Sequence, residues 1–390
     1  MTGGPAVARS RAMTPPAGRT AIIIDSMSHR EIRRHIGQLS IAGFAGDSIP
    51  SELRALAREF DLGGIILFAR NVVEPEQVAE IAHEAQTLAQ ELPLWVSVDQ
   101  EGGRVARLKA PFTVWPPMLT LGRSGDEALA GRFARALAAA LSAVGITLDY
   151  TPVLDILTNP RNPVIGDRAL AEQAGDVARL GRRIITTLQD AGIAACGKHF
   201  PGHGDTSTDS HHELPLIEHP PDRLEAVELV PFRAAIEADV ACIMTAHILI
   251  PAYDDTRPAT LSPAIVDGLL KKTLGYGGLV LSDDLEMKAI SGRYGVPEAT
   301  LGAIAAGCDA VLMCGTSQEP QWQALEAVIH AVEQGTLPLK RVEDALARHR
   351  RVKARFLAPA RPRPLAGPAL RAALGGDEHQ AIAAEMARFA

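Results

Sequence analysis

Between Lys198 and Pro215 the chain reads KHFPGHGDTSTDSHHELP, with His199, His203, His211, His212, Asp205, Asp209 and Glu213 crowded into one polar stretch after the apolar run Ile193–Cys196. An apolar run that stops at a segment punctuated by glycine and proline is a strand end opening into a loop. Such loops carry chemistry when a rigid scaffold holds them. Two kinds of chemistry suit this composition. Asp209 stands two residues before His211, and a carboxylate at that spacing orients an imidazole, fixes its tautomer and raises its basicity, as a general acid/base requires. A metal centre is the rival, with His199, His203, Asp205, His211 and His212 as ligands and His247 as the one further donor elsewhere. Metal ligands in barrels usually arrive from several strands, which favours acid/base work here and no metal. On that reading His203 and Asp205 hold the loop together and His212 faces solvent.

Other apolar runs also end in polar groups that a buried strand does not need. In DQEGGRVARL, from Asp99 to Leu108, paired glycines turn the backbone tightly and bring Asp99, Arg104 and Arg107 to one mouth. A carboxylate beside guanidinium groups suits a polyhydroxylated ligand, and a structural ion pair is the alternative. Asp149 precedes YTPVLDI and Asp155 lies within it, and both are expected to accept backbone amides in a turn, while Arg168 closes the proline-rich NPRNPVIGDR and reaches a ligand. In GLVLSDDLEM, Asp283 and Asp284 are adjacent, and neighbours on a strand face opposite ways. Asp283 closes the apolar run and is assigned to the pocket. Asp284 is assigned to capping the next helix. A lone carboxylate opposite a carboxylate-supported imidazole, with no phosphate-binding glycine loop, fits a nucleophile with an acid/base, and glycoside cleavage is one such reaction.

The elements that position these groups follow from the alternation of short β-like runs with longer helical patterns. The runs are Leu39–Phe44, Gly64–Phe68, Leu94–Asp99, Ile146–Tyr150, Ile193–His199, Cys242–His247, Gly278–Asp283 and Ala310–Cys314. Helical stretches are predicted at Pro75–Leu92, Ala128–Val144, Glu172–Ala191, Asp222–Ala238, Pro263–Leu274, Pro297–Ala306, Pro320–Gln334 and Val342–Phe356. The sum is an α/β fold, a single (β/α)8 TIM-type barrel, whose active site belongs at the C-terminal strand ends. A doubly wound sheet has the same alternation, but no GxGxxG follows the first run. The barrel is expected over 28–358, after a Pro/Gly/Ala-rich disordered leader at 1–27 in which Met13 is an alternative start. A Pro/Ala-rich tail at 359–390 follows, its last part a short docking helix.

Composition removes several classes. The net charge of −7, without Lys/Arg blocks, leaves no footprint for a nucleic acid. Cys196, Cys242, Cys308 and Cys314 sit in or beside apolar runs without CxxC spacing and read as reduced core residues. With no secretory h-region and no 18-residue apolar stretch, neither membrane nor export is indicated, and a cytoplasmic location is expected.

The motifs DQEGGRVARL, KHFPGHGDTSTDSHHELP and LSDDLEM, in this order, resemble the β-N-acetylglucosaminidases of glycoside hydrolase family 3 over roughly Gln38–Phe356. The chain is most similar to the single-domain bacterial members that recycle cell-wall muropeptides. The resemblance implies a retaining exo-acting hydrolase without a cofactor, acting on a small carbohydrate. It implies Asp283 as nucleophile, His211 as acid/base paired to Asp209, and Asp99, Arg107, Arg168, Lys198 and His199 as ligands of the terminal sugar. Rival readings are a glycoside phosphorylase, since a neutral imidazole does not repel a phosphate dianion, a metal-dependent hydrolase, and a non-catalytic sugar-binding module.

Overall fold

The computed structural model describes Met1 and residues 29–211, 213–357 and 363–390. The leader expected at 1–27, apart from Met1, and the solvent-facing role expected of His212 lie outside the described residues, as do the expected barrel ends 28 and 358 and residues 359–362 of the tail.

Eight parallel strands close into a barrel. They are β1 (Ser40–Ala42), β2 (Gly64–Leu67), β3 (Trp95–Val98), β6 (Leu148–Asp149), β7 (Ala194–Phe200), β8 (Cys242–Thr245), β9 (Leu279–Asp284) and β10 (Ala310–Met313), with β1 paired to β10. A small antiparallel hairpin, β4 (Gln100–Gly102) with β5 (Val105–Ala106), intervenes after β3. Each run named from sequence falls on one barrel strand, with β7 and β9 each extending one residue beyond it.

Strand alternation explains how an entirely buried barrel sorts its side chains. Ile41, Ile66, Trp95, Leu148, Cys196, Met244, Leu281 and Leu312 belong to the inner cluster, whereas Ala42, Ile65, Val96, Ala195, Ile243, Val280 and Val311 join the layer between strands and helices. The period of two carries inward parity onward from Trp95 to Asp99, from Cys196 to Lys198 and from Leu281 to Asp283. The strands thus aim their last side chains at the C-terminal mouth. All four cysteines are buried and unpaired.

The helix count needs one correction. Helix Ser51–Phe60 follows β1, where no helix was expected, and buries Leu53, Leu56, Ala57 and Phe60, an i, i+3, i+4, i+7 stripe. Burying each of the large ones contributes about 1.5–3 kcal/mol. Helix Glu319–Glu333 completes the repeat after β10, so helix Leu339–Phe356, read as the eighth of the barrel, is an addition. Helices Gly367–Ala372 and Asp377–Ala387 lie in the C-terminal stretch. The second packs on helices Met118–Ser124 and Glu127–Ala143 through buried Ile382 and Met386 and an Arg132–Glu385 ion pair of 2.8 Å.

The added helix Leu339–Phe356 closes the N-terminal end of the barrel. Val352 and Leu357 enter the inner cluster, and Phe356 packs at 6.3 Å from Trp95. Lys353 is buried, donating to the Gln38 Oε1 at 2.8 Å and the Gly63 carbonyl at 2.7 Å. Burial drives its amine down to about 7, with Asp61 offsetting part of the shift. The unfolded chain keeps the ordinary value of 10.5, so between these values the unfolded state holds more protons and stability rises with pH. Lys353→Met removes this dependence. The urea midpoint of the native chain, measured against that variant, should therefore climb from about pH 6 to about pH 9. A constant difference would show that the amine is not buried in its neutral form.

Candidate active site

A cavity of about 430 Å³ opens at the C-terminal strand ends. Its floor is apolar, formed by Ile66, Met244 and Leu312 of the barrel interior, and its walls are charged. Asp99, Arg107, Arg168, Lys198, His199, Asp209, His211 and Asp283 all border it, so every residue singled out from sequence for substrate or catalysis reaches one space.

The wall from β3 to β7 is a closed ionic network. Lys198, only 2% exposed, lies 2.7 Å from Asp99 Oδ1 and 2.6 Å from Glu101 Oε1. Arg168 forks onto Glu101 with Nε at 2.9 Å and Nη2 at 2.8 Å. Arg107 Nη2 donates to Asp99 Oδ2 at 3.3 Å. Burial opposes the charge on Glu101, but Arg168 and Lys198 outweigh it and hold the carboxyl well below the usual range. Lys198 is likewise held above its ordinary value by Asp99 and Glu101 in spite of burial. Glu101 was missed in the sequence reading. The available signal was its place two residues beyond Asp99, just before the glycine turn in which Gly102 (φ 116°) and Gly103 (φ 54°) take conformations that favour glycine. Arg104 also borders the cavity, as expected, with its guanidinium bonded to Asp167 at 3.2 Å and to loop carbonyls. Arg70 at 4.4 Å and Arg107 at 5.3 Å both lie over the Phe68 ring, a cation–π arrangement that helps to hold the two guanidinium groups in place.

Asp149 and Asp155 accept backbone amides, as expected, but across the fold instead of within a turn. Asp149 takes the Gln100 amide at 2.9 Å while its Oδ2 is buried without a hydrogen-bond partner among the described residues. Burial, with Asp99 and Glu101 nearby, pushes its carboxyl up to about 8. Asp155 accepts the amides of His199 at 3.2 Å and His203 at 2.6 Å, and also holds His199 Nδ1 at 2.6 Å. It thereby fixes how His199 faces the cavity, a task the sequence reading did not give it.

The loop after β7 is braced from within and, through Asn159 and Asn162, from the connection after β6. His203 Nδ1 meets Thr206 Oγ1 at 2.7 Å and Nε2 meets Ser210 Oγ at 3.2 Å, while Asp205 holds His219 Nε2 at 2.6 Å. The Ala289 amide donates to the Ser210 carbonyl at 3.1 Å, tying the loop to the segment after β9. At its tip Asp209 Oδ1 accepts the His211 amide at 2.8 Å and lies 2.7 Å from His211 Nδ1. The His211 side chain is 61% exposed, and Nε2 is the ring nitrogen left for an incoming group. The loop imidazoles thus pair off with separate partners. Among the described residues, the group of donors close enough for one ion is His35, Asp61 and Glu91, in the connections that precede the strands at the opposite end.

Both Asp283 and Asp284 border the cavity, against the expectation that only one would. The cause is a register shift between β9 and β10, where Ala310 pairs with Leu281 but Leu312 pairs with Asp284. A bulge of this kind interrupts alternation and re-aims side chains. Asp284 does not cap a helix either. Its Oδ1 accepts the Glu286 and Cys314 amides at 3.1 Å each. Burial pushes the Asp284 carboxyl up to about 6, with Asp283 and Glu286 adding to the shift. Burial also opposes ionisation of Asp283, but the rings of His247 and His199 and the Asp284 amide outweigh it and keep this carboxyl below its ordinary value. Two adjacent acids are thus separated into an ionised group and one that binds protons more readily.

The profile of the Glycosyl hydrolase family 3 N terminal domain matches residues 31–352. The chain belongs to glycosyl hydrolase family 3. It is similar to the beta-hexosaminidase A of Pseudoalteromonas piscicida, 34% identical over 369 residues, covering 87% of this chain and 60% of that protein. The chain therefore spans less than two thirds of that relative. Among solved structures it is similar to a family 3 beta-N-acetylglucosaminidase from Paenibacillus, with 42% identity, a TM-score of 0.88, and coverage of 92% of this chain and 68% of that one. It is also similar to NagZ from Neisseria gonorrhoeae in complex with N-trifluoroacetyl-D-glucosamine, at 32% identity and a TM-score of 0.73, covering 92% of this chain and 98% of that one.

The ionic wall of this family 3 barrel is open to direct measurement. Removing one partner of a buried ion pair typically costs about 3–5 kcal/mol, because the other is left uncompensated. Glu101→Gln should lower stability by that order in guanidinium unfolding. A loss below about 1 kcal/mol would show Lys198 and Arg168 to be solvated in solution.

Proposed function

We propose that this protein is a retaining exo-β-N-acetylglucosaminidase that removes the non-reducing terminal N-acetylglucosamine from peptidoglycan fragments. One observation supports this above the others. Asp283, an ionised carboxylate, and His211, braced by Asp209, border the same small cavity. In the first step a carboxylate oxygen of Asp283 attacks the anomeric carbon, and His211 Nε2 delivers its proton to the departing oxygen. In the second, His211 takes a proton from water as that water displaces Asp283, releasing the sugar with net retention. The cavity is blind, since packed side chains of the barrel form its floor. A chain end enters such a space and the middle of a polymer does not, which favours exo action. Asp99, Lys198, Arg107, Arg168 and His199 supply the acceptors and donors for one sugar ring. The unit that does this is the barrel over 28–358.

The peptidoglycan substrate and a cytoplasmic site of action rest on the motif resemblance alone. No helix among the described residues is long and apolar enough to cross a membrane. No cofactor is invoked. Activity on nitrophenyl β-N-acetylglucosaminide should survive EDTA, and strong loss restored by zinc would instead support the metal-dependent reading. The β-glucoside should be a poor substrate, and long chitin chains should be trimmed from their ends. Release of sugar 1-phosphate in phosphate buffer would replace hydrolysis by phosphorolysis.

The two catalytic side chains should fail differently. Asp283→Ala should abolish turnover of every substrate, because no glycosyl-enzyme forms. His211→Ala should nearly spare glycosylation by a dinitrophenyl substrate, whose leaving group departs without a proton, and so show a burst followed by slow turnover that azide accelerates. Asp209→Ala should give a milder form of the same pattern. Equal loss of activity on good and poor leaving groups, without azide rescue, would remove His211 from the acid/base role.

A further inference from the structure

His247 lies just past β8, is 0% exposed and does not border the cavity. Both ring nitrogens are occupied. Nε2 lies 2.9 Å from the Asp284 carbonyl and Nδ1 lies 2.8 Å from Thr260 Oγ1. A carbonyl only accepts, so Nε2 carries a proton and the ring donates there. Thr260 Oγ1 is in turn 2.9 Å from Thr245 Oγ1 and 2.9 Å from the Ala246 carbonyl, which fixes the hydroxyl behind the ring. Burial lowers the affinity of the ring for a second proton. Neither nitrogen is left for a metal or for a substrate proton.

The position of this ring matters because of where the ladder stops. Pairing between β8 and β9 ends at Thr245 with Ser282, one residue before Asp283. On the other side the bulge carries β10 past the same point, with the Leu285 amide bonded to the Leu312 carbonyl at 3.0 Å and the Cys314 amide to Asp284 Oδ1. The segment Asp283–Asp284 is therefore held by main chain on its β10 flank. On its β8 flank the bond that replaces the missing ladder comes from a side chain, His247 Nε2. Asp283 itself points by way of this segment, since its Oδ1 accepts the amide of Asp284 at 2.8 Å.

We propose that His247 is a positioning residue for Asp283. Its Nε2-protonated ring clamps the Asp284 carbonyl and so sets the direction of the nucleophilic carboxylate. This inference rests on the reading of Asp283 as nucleophile.

The test compares His247→Asn, whose amide reaches only the Nδ1 position, with His247→Gln, whose amide nitrogen reaches the Nε2 position and donates to the same carbonyl. Loss of one buried hydrogen bond that acts on the reacting carboxylate predicts a fall in kcat of roughly ten- to a hundredfold for His247→Asn. KM, and competitive inhibition by N-acetylglucosamine, should stay close to native. The fall should be the same for dinitrophenyl and methylumbelliferyl glycosides, and azide should not relieve it. His247→Gln should recover to within about threefold of native. Native kcat in His247→Asn, or equal impairment of the two variants, would overturn the proposal. A loss that grows with leaving-group pKa and is relieved by azide would make His247 an acid/base instead. Should His247→Asn not fold, Thr260→Val removes the partner of Nδ1 and should lower kcat about threefold or more with KM unchanged, and unaltered kcat there would equally overturn it. Trapping the native protein with a 5-fluoro-N-acetylglucosaminyl fluoride and mapping the label separates the two readings. A label on another residue refutes Asp283 as nucleophile, whatever the His247 variants do.

Discussion

An ammonium group sits where eight strands converge, and it has to be neutralised there. Lys198 points inward because strand parity leaves it no other direction, and at 2% exposure it cannot be solvated by water. Asp99 and Glu101 supply the compensation, and a second carboxylate in turn requires a second cation, which Arg168 brings from a loop on the far side of β6. One buried charge thus fixes the turn after β3, the loop that carries Arg168 and the spacing between them. Buried ionic clusters of this type cost more to half-remove than they contribute when complete, so the wall behaves as a single unit.

How much of this was legible in the sequence depends on whether local rules hold at each position. Asp99, Lys198 and Asp283 were readable because each closes an apolar run whose parity continues unbroken into the mouth. His211 and Asp209 were readable because their pairing is local, two residues apart on one loop. Glu101 was not, since its partners Lys198 and Arg168 lie 97 and 67 positions away by residue number and nothing nearby shows that it is buried. Asp284 was misassigned because a register shift, invisible in the residue pattern, breaks alternation at that very strand end. Asp155 was read as a turn residue because its chain neighbours are typical of turns, whereas its ligands, the amides of His199 and His203, are brought by another strand. The barrel itself tolerated error. Helix Ser51–Phe60 was overlooked and a later helix counted in its place, yet the strand count was enough to close the fold.

The mouth and the opposite end of the barrel use burial in contrasting ways. At the mouth, charges are packed densely and neutralise one another, which keeps Glu101 and Asp283 ionised against the cost of desolvation. At the N-terminal end Lys353 has carbonyl oxygens for partners, and its proton affinity falls instead. The same low-polarity interior thus gives opposite outcomes according to whether a formal counter-charge is bonded directly, as at Lys198, or acts only from a distance, as Asp61 does on Lys353.

The imidazole at position 211 sits at the exposed tip of a loop pinned lower down by Asp155, Asn159 and Asn162 of the preceding connection, whereas the carboxylate at position 283 is built into the barrel wall. Inheritance can act on the two separately. Exchanges at the tip, around Asp209 and His211, reach the cavity without passing through the packed interior of the barrel. A chain built on this plan can vary that tip at little risk to its fold.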